Sequence, residues 1–266
     1  MTAAGRLTRC AVSALTVLVW ASPASSQTAG ANSTPGVEFL PRTAFHMTAE
    51  RLSGDDPRFV WDANFGGDLD FVDYGVGRFT FEANYQVIIG EEIRTFDPNQ
   101  GSYILAGVTS ARLGATEVAA VFHHQSRHLS DRAKDTAVDW NMFGGRVRRR
   151  FLASDAIIDT RVDLRGVIQK SFVDYSWEID SAVRATIKLR ARVGALATVG
   201  LRHLGADGSQ DRGGETGYRA EGGVRFEGRA GAIELFVAAE RRIDPLPLEV
   251  GTARWVTAGF RLLSRE

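Results

Sequence analysis

Cysteine is nearly absent from this 266-residue chain, Cys10 being its only one. That excludes a disulfide scaffold and any Cys-ligated zinc or iron–sulfur site. Lysine is almost as scarce: Lys134, Lys170 and Lys188 are the only three, so 29 of the 32 basic residues are arginine. Charge of one sign is not in excess, since 32 basic residues face 32 acidic ones, which argues against nucleic acid as a partner. No apolar run reaches the ~18 residues of a transmembrane helix. The phosphate-loop, Rossmann, H-E-x-x-H and G-x-S-x-G patterns are missing too. What remains is a chain with 28 glycines, 44% hydrophobic and 24% charged residues. That composition suits neither a disordered chain nor a bundle of membrane helices.

Residues 1–26 read as a secretory signal peptide. Arg6 and Arg9 give the positive start, and Cys10 to Ala21 is an apolar stretch of 12 residues, too short to span a bilayer. Pro23 breaks it, and Ala24-Ser25-Ser26 offers a cleavage site before Gln27. Cys10 lies at the start of the apolar run rather than at the cleavage site, which argues against a lipoprotein. Cleavage removes two arginines and no acid, leaving 30 basic against 32 acidic residues, a net charge of −2. Residues 27–36 (QTAGANSTPG) read as a flexible leader, and 37–266 as one domain.

The dominant pattern in that domain has period 2. Ile158, Thr160, Val162, Leu164, Gly166 and Ile168 share one face, opposite Asp159, Arg161, Asp163 and Arg165. Trp177, Ile179, Val183, Ala185 and Ile187 oppose Glu178, Asp180, Arg184 and Lys188, and Tyr218 to Glu227 repeats the pattern. Such alternation is β-strand. It predicts about twelve strands, near 43–51, 58–64, 76–88, 103–112, 116–127, 138–150, 156–170, 175–187, 192–204, 216–228, 231–241 and 254–263, with a glycine junction from Gly66-Gly67 to Gly75.

Long connections (89–102, 128–137, 205–215, 242–253) alternate with tight ones near 113–115, 151–155, 188–191 and 229–230, the junction at 171–174 being the short exception. A soluble sandwich also alternates polar and apolar residues. Strands of this length, opposite charges on neighbouring strands and alternating loop lengths favour an all-β transmembrane antiparallel β-barrel instead. The terminal strand, with Val256, Ala258, Phe260 and Leu262 on one face, resembles the C-terminal signal of outer-membrane barrels, although Ser264-Arg265-Glu266 replaces the usual terminal aromatic. The expected location is the bacterial outer membrane. Its lipid and, during biogenesis, the barrel assembly machinery are the expected partners. Charges on the seventh and eighth strands balance, so a charge-filled lumen is expected rather than a diffusion pore.

One cluster stands out, Phe122-His123-His124-Gln125-Ser126-Arg127-His128-Leu129-Ser130-Asp131. His124 and His128 are four residues apart, about 13 Å along a strand at ~3.3 Å per residue, too far for one metal ion. Asp207-Gly208-Ser209-Gln210-Asp211 begins like a calcium loop but lacks the later glycine and acid. His124 and Ser126 share a face with Val118, Ala120 and Phe122, the lipid side, whereas His123 and Gln125 face the lumen. Folding the hairpin about residues 132–133 sets His124 opposite Asn141 and Ser126 opposite Asp139. Ser126 is then a candidate nucleophile, His124 its base, and Asn141 or Asp139 the group that orients the imidazole. The leading reading of the cluster is nevertheless a polar rim with a structural or binding role, in a barrel whose activity the sequence does not specify, and the acyl-ester hydrolase is the alternative.

His124-Gln125-Ser126 resembles the H-x-S pair of outer-membrane phospholipase A and of lipid A 3-O-deacylase, barrel enzymes whose active sites face the outer leaflet. In those families an Asn or Glu follows the serine by about twelve residues; here Val138 holds that position, with Asp139 and Asn141 displaced. The resemblance implies a lipid acyl-ester hydrolase, and calcium enters only through its phospholipase branch, no other cofactor being expected. The longer string from His124 to Asp131 is similar to an uncharacterised bacterial outer-membrane β-barrel family with an H-x-S-x-H-L-x-D motif, which implies no activity.

Overall fold

A computed structural model describes residues 36–130 and 135–265. The expected signal peptide, 1–26, and the expected leader as far as residue 35 lie outside them. Twelve strands run in order: β1 Glu38–Leu52, β2 Trp61–Asp73, β3 Arg78–Gly90, β4 Asp97–Leu113, β5 Thr116–His128, β6 Val138–Leu152, β7 Ala156–Ser171, β8 Tyr175–Arg190, β9 Val193–Ala206, β10 Gly214–Glu227, β11 Gly231–Ile243 and β12 Thr252–Ser264. Each pairs antiparallel with its neighbour in sequence, and β1 also pairs with β12, Met47 opposite Leu262 and Ala49 opposite Phe260. The result is a closed barrel without an edge. No helix occurs among the described residues.

The second strand departs from the sequence expectation. It begins at Trp61 and runs straight through Gly66-Gly67 to Asp73, where a junction was expected. Glycine is required there because the backbones approach closely. A Cβ on Gly67 would run into the Ala44 carbonyl oxygen, and one on Gly66 into that of Ala83. Glycines erase the alternating signal that marks a strand, which is why sequence reading stops at Asn64. The long connections are also shorter than expected, 91–96 in place of 89–102 and 244–251 in place of 242–253.

The wall is sorted opposite to a soluble protein. Val237 is 60% exposed on the outside, Phe143 55% and Leu164 54%, while inward-facing Glu234 is 0% and Asp163 1% exposed. An exterior of this kind is matched to hydrocarbon. Inside, Glu234 receives Arg184, and Arg225 and Arg261 at 2.8 Å each. Glu178 holds Arg165 and Arg202. Arg146 spans Glu82 and Asp163, and Arg161 reaches Asp180 at 2.8 Å. The expected filling of the lumen by paired charges is thus present, except that Lys188 lies exposed at the inner end.

Towards the outer end the interior becomes apolar. Val138, Trp140, Met142, Tyr175, Leu204 and Ile243 form one buried cluster, and Leu52, Phe59, Ile88 and Trp255 another. The β11–β12 loop is tied down above them. Arg212 bonds Asp174 and Asp244 (2.7 Å each), and the Tyr175 hydroxyl donates to Asp244 at 2.8 Å. With charges paired in mid-barrel and side chains packed above, little steady conductance is expected in planar bilayers. Large, stable, ion-selective steps there would establish a pore.

The loop anchor titrates. Burial raises the Asp244 pKa, but hydrogen bonds from Arg212, the Gly251 amide and the Tyr175 hydroxyl outweigh it and hold the carboxyl below its ordinary range. Its stabilising contribution is therefore complete above the unfolded value of ~3.9 and is lost as pH falls through the lower folded value. Proteolysis at residues 244–251 should stay constant from neutral pH to about pH 4 and rise only below that. Asp244→Asn should remove this step.

Candidate functional site

β5 and β6 form a hairpin, with residues 129–137 between them in sequence. Their register is the expected one, with Phe122 opposite Phe143, His124 opposite Asn141 and Ser126 opposite Asp139. Phe122 and Phe143 are exposed on the outside, and His123 is buried on the inside, where Arg165 donates to its Nδ1 at 2.8 Å. Alternation therefore puts His124, Ser126, His128, Asp139 and Asn141 together on the outer surface, past the last apolar pair, near the end that carries the longer loops. Asp131, the last residue of the motif, lies outside the described residues.

Within this patch His124 Nδ1 lies 2.8 Å from Asn141 Oδ1. The Asn141 amide nitrogen donates to Gln169 Oε1 at 2.7 Å, so its oxygen is the atom turned to the imidazole. An amide oxygen only accepts, so His124 must carry its proton on Nδ1 and leave Nε2 as a base. Of the two residues expected to orient His124, the structure brings Asn141 to it and leaves Asp139 across from Ser126.

The expected bond between His124 and Ser126 is not formed. The Ser126 hydroxyl pairs instead with His128 Nε2 at 3.3 Å. Residues two apart on a strand stand ~6.6 Å apart, so an imidazole must lean along the strand to reach its neighbour's hydroxyl. His124 leans across to β6, while His128 is held by its edge-to-face contact with Tyr103, ring centroids 5.5 Å apart. Tyr103, opposite Ser126 on β4, packs tilted against Tyr85 with ring centroids 4.6 Å apart, and Tyr85 meets Phe65 at 5.3 Å. Ser126 thus sits at the end of an aromatic row, flanked by two imidazoles.

Gln169 escaped sequence reading. β7 slips one residue between the partners of Asn141 and Met142, which are Gln169 and Val167, so Ile168 is extra. Val167 faces inward by the same alternation as Asp163 and Arg165 and packs against the apolar cluster, and the bulge that follows it sets Gln169 beside Asn141. The signal available was the adjacent apolar pair Val167-Ile168 followed by polar Gln169.

A calcium ion asks for about six to eight oxygen ligands. Among the described residues Asp139 is the carboxylate paired opposite Ser126, and no group of three or more His, Cys, Asp or Glu that could hold a metal gathers. This donor set does not fit calcium.

No protein-family model matches the chain, and no curated protein matches its sequence. Solved structures do resemble it. Outer membrane phospholipase A from Escherichia coli is 11% identical, with 86% of this chain and 98% of that one covered and a TM-score of 0.52. The Salmonella typhi outer membrane phospholipase dimer with bound calcium is 10% identical over 84% of this chain and 91% of that one, TM-score 0.51. LpxR from Salmonella typhimurium is 6% identical, covering 82% and 99%, with a TM-score of 0.48. At these identities the likeness is one of fold, that of the bacterial outer-membrane barrel.

Proposed function

We propose that this barrel resides in the bacterial outer membrane and hydrolyses acyl esters of outer-leaflet lipid, with Ser126 as nucleophile, His124 as base and Asn141 as the residue that orients it. The observation carrying this reading is the 2.8 Å contact between His124 and Asn141 on the outer face, next to Ser126. It leaves an imidazole nitrogen unprotonated where a lipid ester can arrive. The Ser126 oxygen attacks the ester carbonyl as its proton passes to His124 Nε2. The tetrahedral intermediate then expels the alcohol, which takes that proton. Water, deprotonated by the same nitrogen, releases the fatty acid and restores the serine. Asn141, held by Gln169, keeps the ring in the required tautomer. His128 holds the hydroxyl between turnovers.

Detergent-refolded protein should release fatty acid from phospholipid or lipopolysaccharide, assayed with and without calcium. Ser126→Ala and His124→Ala should each lower the rate by about 10³-fold or more, and Asn141→Ala by about 10²-fold. Asp139→Ala, His128→Ala and the lumen-side control His123→Ala should stay near wild type. Absence of ester hydrolysis by wild type, or full activity in Ser126→Ala, leaves the patch as a polar rim.

Location is tested separately. The protein should fractionate with the outer membrane, require detergent, and migrate differently on gels before and after boiling. Recovery as a detergent-free periplasmic monomer would overturn it.

A further inference from the structure

Behind the β5 wall, on the opposite side from Ser126, the barrel encloses a cavity of about 430 Å³, within the ~300–1,000 Å³ typical of small-molecule sites. Gln125, Arg127, Trp140 and Thr198 line it, and Pro245 of the β11–β12 loop covers it. We propose that it binds a small hydroxylated organic anion, with the chemistry of a sugar acid, whose carboxylate pairs with Arg127.

Arg127 carries the argument. Its guanidinium donates to the carbonyl oxygens of Asp244 (2.6 Å) and Pro245 (2.9 Å) and to Gln100 Oε1 (3.1 Å). All three acceptors are neutral. The other arginines on the cavity wall each hold a carboxylate, as Arg202 holds Glu178 and Arg242 holds Asp62 and Glu240. Asp244 contributes its carbonyl to Arg127, while its carboxylate is taken by Arg212, Tyr175 and the Gly251 amide. Among the described residues Arg127 has no carboxylate partner, an unusual state for a guanidinium inside a barrel.

Two further groups point the same way. Trp140 is 1% exposed, yet its indole N–H has no hydrogen-bond partner, and neither has the buried Thr198 hydroxyl. Buried donors are rarely left unpaired. Water could satisfy both but would not neutralise Arg127. Gln125 spends its amide nitrogen on Ser102 at 3.3 Å, which leaves its oxygen to accept from a ligand hydroxyl. The Trp140 and Tyr175 rings, 5.1 Å apart and edge to face, supply an apolar surface for ring carbons. A cation, an indole donor, a hydroxyl and an amide acceptor around one cavity match an acid that carries hydroxyl groups better than a fatty acid or a bare inorganic ion.

The site lies on the other side of the wall from the ester chemistry and stands without it. Isothermal titration of the refolded barrel with glucuronate should show saturable binding, with neutral glucose and inorganic phosphate much weaker. Arg127→Gln should weaken it by about tenfold or more, consistent with loss of a charge-assisted pair, and Trp140→Phe by several-fold. Arg127→Lys should retain part of the affinity and Ser126→Ala all of it. Unchanged heat-modifiable migration certifies each variant as folded; if Arg127→Gln does not fold, Arg127→Lys and Trp140→Phe decide. Absence of saturable binding, equal binding of glucose or phosphate, or a Trp140→Phe affinity equal to wild type would overturn the proposal.

Discussion

Every backbone donor and acceptor in the wall must find a partner without water, and the pairing of β1 with β12 completes that condition. An open twelve-stranded sheet would leave two rows of unpaired groups in hydrocarbon. Closure settles the rest by geometry. Each strand has one face towards lipid and one towards the lumen, so side-chain direction alternates and a slip of one residue would exchange the two environments. Exposed Val237 and buried Glu234 on β11 obey the same rule.

The lumen then has to accommodate charges out of bulk water. Here the scarcity of lysine acquires a physical meaning. A guanidinium offers five donors in a planar fork and can join several carboxylates at once, whereas an ammonium is a point charge on a flexible stem. Arg219 holds Glu50, Glu221 and Glu240, and Arg261 holds Glu221 and Glu234. Such bridging links β1, β10, β11 and β12 across the barrel. Deleting one buried partner strands the others, which typically costs about 3–5 kcal/mol, so the network fixes one arrangement more than it adds stability.

Strand number, order and the β5–β6 register were legible because alternation is strict wherever both faces are committed. β2 was not, since Gly66 and Gly67 carry no face. The apolar plug was missed for a different reason. On β6 the apolar side faces outward at Phe143 and Val147 but inward at Met142, Trp140 and Val138. The phase inverts between Met142 and Phe143, and on the paired strand the outward residues turn polar just past Phe122, at His124. Adjacent apolar residues in an otherwise alternating strand mark that inversion. Read this way, the candidate site lies where the hydrocarbon-matched band ends: polar atoms face outward at the level where the interior has turned apolar.

That placement explains why a bulge is needed in β7. Continued alternation would put Ile168 opposite Asn141, and an aliphatic neighbour could neither accept from the asparagine amide nor fix which of its ends faces His124. One inserted residue replaces Ile168 by Gln169, whose oxygen accepts from Asn141 and leaves the asparagine oxygen for the imidazole. Val167, inward through regular alternation, joins the apolar cluster just before the insertion, so the outer polar patch and the inner cluster meet at this point of the strand. A bulge disrupts the local ladder, and the β8–β9 pairing carries another between Tyr175 and Trp177. The effect of the one in β7 is to orient a single amide beside a histidine, the contact on which the proposed ester chemistry rests.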